Sequence, residues 1–589
     1  MTVATAAAGA GKHVHRRPPL QRAVIVGVVL GVVSIYIAAV GILLQMHGRA
    51  VIVDILTLGQ EALLAVALGA GAYVARSERS LGPASIMPHS ALAGAIAGAC
   101  LAVLVLATDA LDLRSMFIAL SPQLVDMLTF GFDDVWIGLS ILVASGAVIG
   151  ILGALLSMAP RPVQKPVMVG LAAVTFFGVF QELIQIMMQF GDFIGAIRET
   201  LYDWEGLTLE GAIIIFVIAA VCSVLWTRFR SRPGAAVAPT PQQARAAKIA
   251  KIVIGVLLVV LFPVVAGSYI GQVLMLVGLY ILMGMGLNLE VGLAGLLDLG
   301  FVAFFAVGAY ATALLTADSP HALASLGYWE AMPIAVACSV VVGVLFGIPV
   351  LGVRGDYLAV ATMGLGEIVR VIVLSDAAAP LLAGAQGILQ IPKPFIGSLE
   401  LSDPVELFFL TLACAAVAAY FAWRLETSRL GRAWMAVRDD EDVAQALGIN
   451  LVKVKLLAYG LGAAFAGLAG SIFAVMLTSV YPSSFQLLVS INVLALIIVG
   501  GMGSLPGVIV GSLALVGLPE LLREFGENRY LFYGAALIVM MRIRPEGLWP
   551  SATRRRELRA AAEGVDPAVE PATTSLDEIA APDAQQPGQ

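Results

Sequence analysis

The sequence predicts an all-α, polytopic membrane protein. Of its 589 residues, 60% are hydrophobic and only 13% are charged, and the mean hydropathy is +0.94, whereas a water-soluble domain carries roughly 25% charged residues. Apolar runs long enough to cross a bilayer as helices recur along the chain, without the alternation of β-barrel strands. Since hydrocarbon offers no hydrogen bonds to a bare backbone, these runs are expected to be transmembrane helices.

The first half of the chain is expected to hold about six transmembrane helices, over residues 23–227. A basic tail, residues 1–22, precedes the first apolar run, which is too long for the core of a signal peptide. Basic residues follow the second, fourth and sixth runs, whereas acidic residues separate the third from the fourth. This asymmetry places the N-terminus in the cytoplasm. The six runs lie near residues 23–45, 51–75, 91–107, 136–158, 167–190 and 208–226.

A polar stretch with several prolines, residues 228–251, has the composition of a cytoplasmic linker. Beyond it, residues 252–550 are expected to form a second membrane region of about eight to ten segments, some of which are re-entrant if their glycines break the helix. The tail, residues 551–589, is rich in Pro, Ala and acidic residues without periodicity, so we expect it to be disordered and cytoplasmic. The runs lie near residues 252–269, 272–288, 294–317, 330–352, 357–375, 405–423, 456–478, 486–500, 505–518 and 530–543.

The cysteines and histidines do not form a pattern typical of a metal site. The four cysteines lie far apart inside apolar runs, which is typical of small core residues, and the five histidines are scattered in tails and loops. Gly9-Ala10-Gly11-Lys12 lacks the first glycine and the Ser/Thr of a phosphate-binding loop. We therefore expect no metal, cofactor or nucleic acid, and no ATP hydrolysis by the chain itself.

The polar segment at residues 427–455 interrupts the second membrane region. Within it, Asp439 to Leu447 consists of good helix formers, with acids in the first turn and Gly448 directly after the last. Acids at the start suit the helix dipole, and a glycine after the end suits a C-cap. We expect a short amphipathic helix on the cytoplasmic side of the membrane, and an ordinary solvated loop helix is the alternative.

This short helix resembles the one with which permeases of ABC importers engage a groove on the ATPase subunit. The shared pattern is an acid, two alanines and a glycine six residues after the acid, and Asp442-Val443-Ala444 with Gly448 is similar to it, with Asp for Glu and Val for the first Ala. The candidate ATPase-coupling residues are Asp439, Asp440, Glu441, Asp442, Val443, Ala444 and Gly448.

Longer stretches resemble the LivM type of branched-chain amino acid permease, in order and separation. They are residues 286–315, 355–373, 427–455 and 490–511, and the terminal RPEGLWP is similar to that family's ending. The resemblance implies an ABC-importer permease core in the bacterial inner membrane, carrying leucine, isoleucine and valine. It also implies three kinds of partner: a second homologous permease, two ABC ATPase subunits and a periplasmic amino-acid-binding protein. The resemblance covers residues 252–550 and leaves the N-terminal region unassigned.

Glycines and polar residues within these stretches predict a translocation path. Glycines permit close helix approach and unwound backbone, whose amides and carbonyls can hold the two ends of an amino acid, although packing alone is the alternative for each. Asn288, Glu290 and Asp298 flank a glycine-rich turn and are expected to cap broken helix ends, and for each of them packing is favoured over contact with substrate. Glu367 and Arg370 are expected to form a buried ion pair that orients the helix, or else to line the path. The candidates are Asn288, Glu290, Gly292, Gly295, Asp298, Glu367, Arg370, Asn492, Gly500, Gly501 and Gly503.

Two other classes of function stay open at this point. A secondary transporter or channel would use an ion gradient without an ATPase, and the inverted repeats common in that class are not visible here. An intramembrane enzyme would need a cluster of His, Asp or Cys within the spans, and the scattered histidines and cysteines argue against one. Within the importer class, urea and short amides are rival substrates. Residues 382–388 and 481–485 depart from the family's pattern, which bears on the choice of substrate.

Overall fold

The structure of the chain is a computed structural model. It divides into two compact units, Met1–Ala246 and Ala247–Gln589. The expected N-terminal tail up to residue 17, most of the expected linker and the expected disordered tail 551–589 lie outside the described residues. The described residues are 18–78, 82–111, 113–132, 134–188, 192–230, 255, 257, 259–353, 355–523, 528–544 and 546–550.

The described part of the first unit is almost entirely helical. A short antiparallel pair of strands, β1 (Ala50–Ile52) and β2 (Leu56–Thr57), precedes the third helix, and Leu113–Ser115 is a 3-10 turn. The α-helices are α1 (Pro19–Ala39), α2 (Ile42–His47), α3 (Leu58–Ser77), α4 (Pro83–Leu111), α5 (Pro122–Leu128), α6 (Val135–Met158), α7 (Arg161–Val179), α8 (Gln181–Met187), α9 (Asp192–Leu201) and α10 (Leu209–Arg230).

The second unit is also helical, with α-helices interrupted by π-helical segments at Asn288–Leu293 and Leu513–Gly517. Residues 259–266 are helical. The α-helices that follow are α11 (Ser268–Leu287), α12 (Val302–Thr316), α13 (Tyr328–Val350), α14 (Asp356–Leu374), α15 (Ala379–Leu382), α16 (Pro404–Glu426), α17 (Arg429–Asp439), α18 (Glu441–Ala446), α19 (Leu451–Leu477), α20 (Leu487–Gly500), α21 (Leu505–Ser512), α22 (Leu518–Leu521) and α23 (Asn528–Ile543).

Strands and 3-10 turns in the second unit are only two or three residues long. The antiparallel pairs are β3 (Ile388–Leu389) with β6 (Ser479–Val480), and β4 (Phe395–Ile396) with β5 (Leu399–Glu400). The 3-10 turns are Gly384–Gln386 and Pro482–Ser484.

Among the described residues, 12 helices are long and apolar enough to cross a membrane, six in each unit. Three shorter apolar helices, Val302–Thr316, Leu505–Leu521 and Tyr533–Ile543, belong to the second unit. This helix content confirms the predicted all-α, polytopic fold class.

Small residues bring the helices of the first unit together. α4 packs against α1, α3 and α6. A Cβ atom added to Gly94 of α4 would overlap the carbonyl of Gly146 in α6, and one added to Gly71 of α3 would overlap Gly150. These backbones approach so closely because neither partner carries a side chain at the crossing, as is common between membrane helices.

The core of the second unit forms around α19, which packs against α11, α12, α13 and the π-helical segment after α11. Its alanines and glycines, from Ala458 to Ala474, are buried along almost the whole helix. A Cβ atom on Gly308 of α12 would overlap Gly467 of α19. α19 therefore lies at the centre of the unit, and the broken helices described below are packed against it.

Candidate functional site

α11 ends in a break that matches the first predicted glycine-rich turn. After the π-helical segment Asn288–Leu293, the chain has no regular structure until α12 begins at Val302. Gly295 adopts φ +73°, a backbone conformation that favours glycine. The backbone amide of Leu296 donates to the carbonyl of Glu290, which closes the break into a compact loop.

A second break follows α20, where Gly501 (φ +118°) and Gly503 (φ +72°) both occupy the left-handed region. The side chain of Ser504 caps α21 by accepting a hydrogen bond from the amide of Gly507 at 3.2 Å. Gly500 packs so closely against Gly507 that neither position has room for a side chain. Of the predicted glycines, Gly501 and Gly503 therefore form a tight, non-helical turn, and Gly500 is the last residue of α20 before it.

The two breaks are joined by a hydrogen bond between distant parts of the chain. The amide of Gly503 donates to Oδ1 of Asn288 at 2.8 Å, and Asn288 is buried. A Cβ atom on Gly292 would overlap this Asn288 side chain, which explains the glycine there. The structure thus brings together Asn288, Gly292 and Gly503, which the sequence predicted as separate candidates.

Glu290 and Asp298 form a buried pair of carboxyl groups within the first break. Both residues are at most 1% exposed, and their carboxyl groups interact with each other. Asp298 Oδ1 also accepts a hydrogen bond from the amide of Gly300 at 2.7 Å, which closes a turn in the loop before α12. The predicted capping of a helix end was wrong for Asp298, because α12 begins after Phe301 without a side-chain cap. Glu290 packs against Gly462 of α19, where a Cβ atom would overlap its carboxylate. The pair fixes the break against the central helix.

Two residues that the sequence did not single out hold the same break. The amide of Leu299 donates to Thr362 Oγ1 of α14 at 3.0 Å, and the amide of Val302 donates to Ser490 Oγ of α20 at 2.9 Å. Serine and threonine are too common in membrane helices for either to be recognised from sequence. The predicted Asn492, on the same helix as Ser490, interacts instead with Tyr280 of α11.

Glu367 and Arg370 of α14 form the predicted intrahelical ion pair, with Arg370 Nε donating to both carboxylate oxygens at 2.9 and 3.0 Å. The expectation that this pair is buried was wrong for the single chain, because the two side chains are 48% and 34% exposed. Tyr357, Val360, Ile368 and Val371 are exposed on the same helix. The pair therefore lies on an open face of the unit, within a membrane-length helix.

The polar segment forms two short helices where the sequence predicted one. α17 ends at Asp439, and α18 begins at Glu441, so the predicted helix from 439 to 447 is shorter. Asp440, in extended conformation between them, accepts hydrogen bonds from the amides of Asp442 and Val443, each at 2.9 Å. An aspartate that caps a helix in this way also ends the helix before it.

Gly448 ends α18 in the way that the sequence predicted. It adopts φ +89°, its amide donates to the carbonyl of Gln445, and the amide of Ile449 donates to the carbonyl of Ala444. These two bonds make a Schellman motif, in which the left-handed glycine turns the chain away from the helix axis. Ala444 is buried, while Val443 and Leu447 are 55% and 77% exposed. We name residues 439–449 the coupling segment.

Arg438, the residue before the coupling segment, connects α17 to the first break. Its guanidinium group donates from Nη1 to the carbonyl of Gly292 at 2.8 Å, and Gly295 packs against its side chain. Since Gly292 contacts Asn288, and Asn288 binds Gly503, a continuous set of contacts runs from the two short helices to both breaks. No sequence pattern predicts this role, because an arginine beside acids looks like an ordinary surface residue.

Two buried contacts fasten the short helices to α19. Trp434 of α17 is completely buried, and its indole donates to the carbonyl of Val454 at 2.9 Å. Lys455 Nζ lies 2.7 Å from Glu441 Oε1, and the exposed fractions of the two side chains are 4% and 22%. Because α19 also packs on the first break, the short helices and the first break contact the same central helix.

The Glu441–Lys455 pair predicts an asymmetric effect on stability. Glu441→Ala leaves the Lys455 ammonium buried without this carboxylate, and we expect it to lower the free energy of unfolding by about 3 kcal/mol. Lys455→Met removes the buried charge and leaves the carboxylate within reach of water, so we expect a smaller loss. Thermal unfolding of the purified variants measures both. Equal destabilisation, or a larger loss for Lys455→Met, would contradict the assignment.

Among the described residues, no group of three His, Cys, Asp or Glu side chains is arranged to hold a metal ion. The site is instead made of backbone ends, one amide side chain, one pair of carboxyl groups and an arginine. Such groups can bind and orient the polar parts of a ligand. A bundle of membrane-length helices with two linked breaks, fastened to short polar helices, defines a transport permease.

The chain belongs to the family described as branched-chain amino acid transport system permease component, and that family's model matches residues 269–541. It is 39% identical over 305 residues to the high-affinity branched-chain amino acid transport system permease protein LivM of Salmonella typhimurium, covering 48% of this chain and 70% of that protein. With LivM of Escherichia coli K12 it is 40% identical over 310 residues, covering 49% and 71%. The resemblance to LivM-type permeases is thereby confirmed.

A more distant relative is the permease protein LivH of Escherichia coli K12, at 24% identity over 284 residues, covering 46% of this chain and 90% of that protein. No solved structure matches the chain. The matched range 269–541 lies within the second unit and contains both breaks and the coupling segment.

Proposed function

We propose that this chain is the permease subunit of an ABC importer that carries leucine, isoleucine and valine into the cytoplasm. The observation that carries the proposal is the set of contacts from the coupling segment through Arg438 to Gly292, Asn288 and Gly503. An importer needs such a connection, because the ATPase acts at the membrane surface and the substrate crosses within the bundle. The substrate class is supported by the names of the LivM and LivH relatives.

The coupling segment is the surface that an ABC ATPase subunit engages. Val443 and Leu447 present apolar side chains to solvent on a helix whose buried side is fixed by Ala444. Exposed apolar groups at the tip of a polar segment suit a groove on a protein partner. When the ATPases close on ATP, α18 moves, Arg438 moves with α17, and the carbonyl of Gly292 follows. On this proposal two separate ATPase subunits hydrolyse the ATP and provide the energy.

The first and second breaks form the translocation path. Unwound backbone offers amides to the carboxylate of an amino acid and carbonyls to its ammonium group, while aliphatic surfaces accept the side chain. The buried carboxyl pair Glu290–Asp298 holds the first break in position. The same path includes the remaining candidates, which are close-packed or lie in non-helical backbone: Gly295, Asn492, Gly500 and Gly501.

The Glu367–Arg370 face of α14 meets a second, homologous permease across the path. An ion pair within a membrane-length helix is costly where it faces lipid, so this exposed face requires a protein or aqueous neighbour. A periplasmic amino-acid-binding protein delivers the substrate to the outer face of the pair of permeases.

The chain resides in the bacterial inner membrane with both termini in the cytoplasm. Basic residues at the end of α3, in the first two turns of α7 and at the end of α10 support this orientation for the first unit. Residues 252–550 form the permease domain, and residues 23–227 form an additional six-helix region joined to it by the 228–251 linker.

Reconstitution tests the proposal. Proteoliposomes that contain the chain, its partner permease and both ATPases, supplied with the binding protein, are expected to accumulate labelled leucine only when ATP is present on the ATPase side. Collapsing the proton and sodium gradients is expected to change nothing. Uptake driven by an ion gradient without ATP would favour a secondary transporter, and uptake of urea in preference to leucine would overturn the substrate assignment.

A further inference from the structure

An open groove of about 920 Å³ lies between α7 and α10 in the first unit. The two helices touch at mid-length, where a Cβ atom on Gly170 would lie 2.6 Å from the ring of Phe216. The groove is lined by residues 164–169 of α7 and 219–227 of α10, all on the same side of that contact. Under the proposed orientation, this is the cytoplasmic end of the unit, and the inference rests on that orientation.

The lining of the groove changes character along its length. Met168, Val169, Ala219 and Cys222, the positions nearest the contact, are apolar or weakly polar. Toward the ends of the two helices the lining becomes polar, with Gln164, Lys165, Ser223, Trp226 and Thr227. A ligand that fits this gradient has an apolar chain at one end and a polar head at the other.

The positive charge at the rim of the groove favours a ligand with an anionic head group. Lys165 is exposed at the rim, and Arg161 lies four residues before it, one turn away on the same helix face. α7 carries no acid, and the acid of α10, Glu210, stands at the opposite end of that helix. Trp226, 71% exposed at the rim, has the amphipathic ring that is enriched at the level of lipid headgroups.

We propose that this groove binds one anionic phospholipid of the inner leaflet. The acyl chain lies along Met168, Val169 and Ala219, and the phosphate lies between Lys165 and Arg161. Basic pockets between membrane helices on the cytoplasmic side recognise anionic lipid in this way. The site gives the first unit a ligand that is independent of the transport path.

Quenching of Trp226 fluorescence by brominated lipid tests the proposal. The full-length chain is placed in nanodiscs whose lipid composition, and therefore surface charge, is the same in every sample. In one sample a small fraction of the phosphatidylglycerol carries bromine close to the ester groups, and in the other the same fraction of the phosphatidylethanolamine does. Trp226→Phe identifies the Trp226 signal by difference. We expect brominated phosphatidylglycerol to quench this signal more strongly than brominated phosphatidylethanolamine. Removing Lys165 or Arg161 by alanine is expected to weaken that preference about fivefold for each cation.

Arg22→Ala is the matched control, because it removes one cation from the proposed cytoplasmic end of the same unit, where Arg22 contacts Ser77 rather than the groove. The preference for phosphatidylglycerol is expected to persist in this variant. Equal quenching by the two lipids, or a preference that survives Lys165→Ala with Arg161→Ala, overturns the proposal. Absence of Trp226 quenching by either lipid also overturns it, because the groove is then filled by protein.

Discussion

Replacing Arg438 by glutamine is expected to reduce ATP-driven leucine uptake by about tenfold or more, since a charge-assisted hydrogen bond is worth about 1.5–3 kcal/mol. The reason is that Arg438 makes the described connection between α17 and the carbonyl of Gly292. Arg438→Gln also removes an ion pair with Asp439 at the start of the coupling segment, but that pair is largely exposed, and Asp440 and Gly448, which begin and end α18, are kept. The ATPase subunits are therefore expected to bind and to hydrolyse ATP. Uptake and ATP hydrolysis, measured together in proteoliposomes, give the number of leucine molecules carried per ATP, and this ratio is expected to fall.

Two further variants show whether the loss of uptake is due to the contact between Arg438 and Gly292 or to the loss of a positive charge in general. Arg432→Ala removes an arginine from the same helix whose guanidinium group, among the described residues, donates to the nearby carbonyl of Thr427 and to no part of the breaks. Uptake by this variant is expected to stay close to that of the unmodified chain. Arg438→Lys retains a single donor and is expected to keep part of the activity. Unchanged leucine carried per ATP in Arg438→Gln would show that the contact with Gly292 transmits nothing.

Replacing Gly448 by valine is expected to abolish uptake while the protein reaches the membrane in normal amounts. Gly448 adopts φ +89°, and a residue with a side chain pays about 1–2 kcal/mol in the left-handed region. A Cβ atom at this position meets nothing within 4 Å in the chain, so the second unit itself has room for it. The substitution is therefore expected to distort the turn that follows α18 and to weaken binding of the ATPase subunit at that turn. Uptake, membrane abundance and co-purification of the ATPase subunits measure the effect.

An asparagine at position 448 shows whether the valine variant fails because of its backbone conformation or because of the size of its side chain. Asn tolerates the left-handed region better than other residues with side chains, so Gly448→Asn is expected to preserve the turn and to lose less ATPase binding than Gly448→Val. Normal uptake by the valine variant would remove the coupling assignment from residues 439–449.

The fold class could be predicted from the sequence because amino-acid composition alone indicates which parts of a chain lie in a membrane. Apolar runs of bilayer length, such as the one that became α6, leave a backbone no alternative to a helix. The boundaries were less predictable. α7 begins at Arg161 and not near residue 167, because two prolines and a lysine lower the hydropathy of a turn that is nevertheless helical.

The site was predicted in its local parts and not in its long-range connections. The i, i+3 ion pair of Glu367 with Arg370 and the glycine exit at Gly448 follow from rules that act over a few residues, and both appear in the structure. The bond between Asn288 and Gly503 joins positions 215 residues apart, and the contact of Arg438 with Gly292 spans 146. No local pattern encodes such pairs, because they depend on where α19 places its neighbours.

The exposed Glu367–Arg370 pair shows a second limit of sequence reasoning. Spacing of three residues on a helix predicts the ion pair correctly, because that geometry is local. Whether the pair is buried depends on what packs against α14, and in the single chain that face is open. The assembled importer is expected to provide the missing neighbour.

The side of the membrane on which the coupling segment lies, and what covers it, is tested most directly by thiol labelling of Val443→Cys. The variant is made after replacing Cys100, Cys222, Cys338 and Cys414, and Leu399→Cys, in the hairpin formed by β4 and β5, serves as the matched control for the opposite side. A membrane-impermeant reagent is expected to label position 443 only in inside-out vesicles, and ATPase subunits are expected to protect it. Labelling of position 443 from the outside, or labelling that the ATPases do not reduce, would contradict the account.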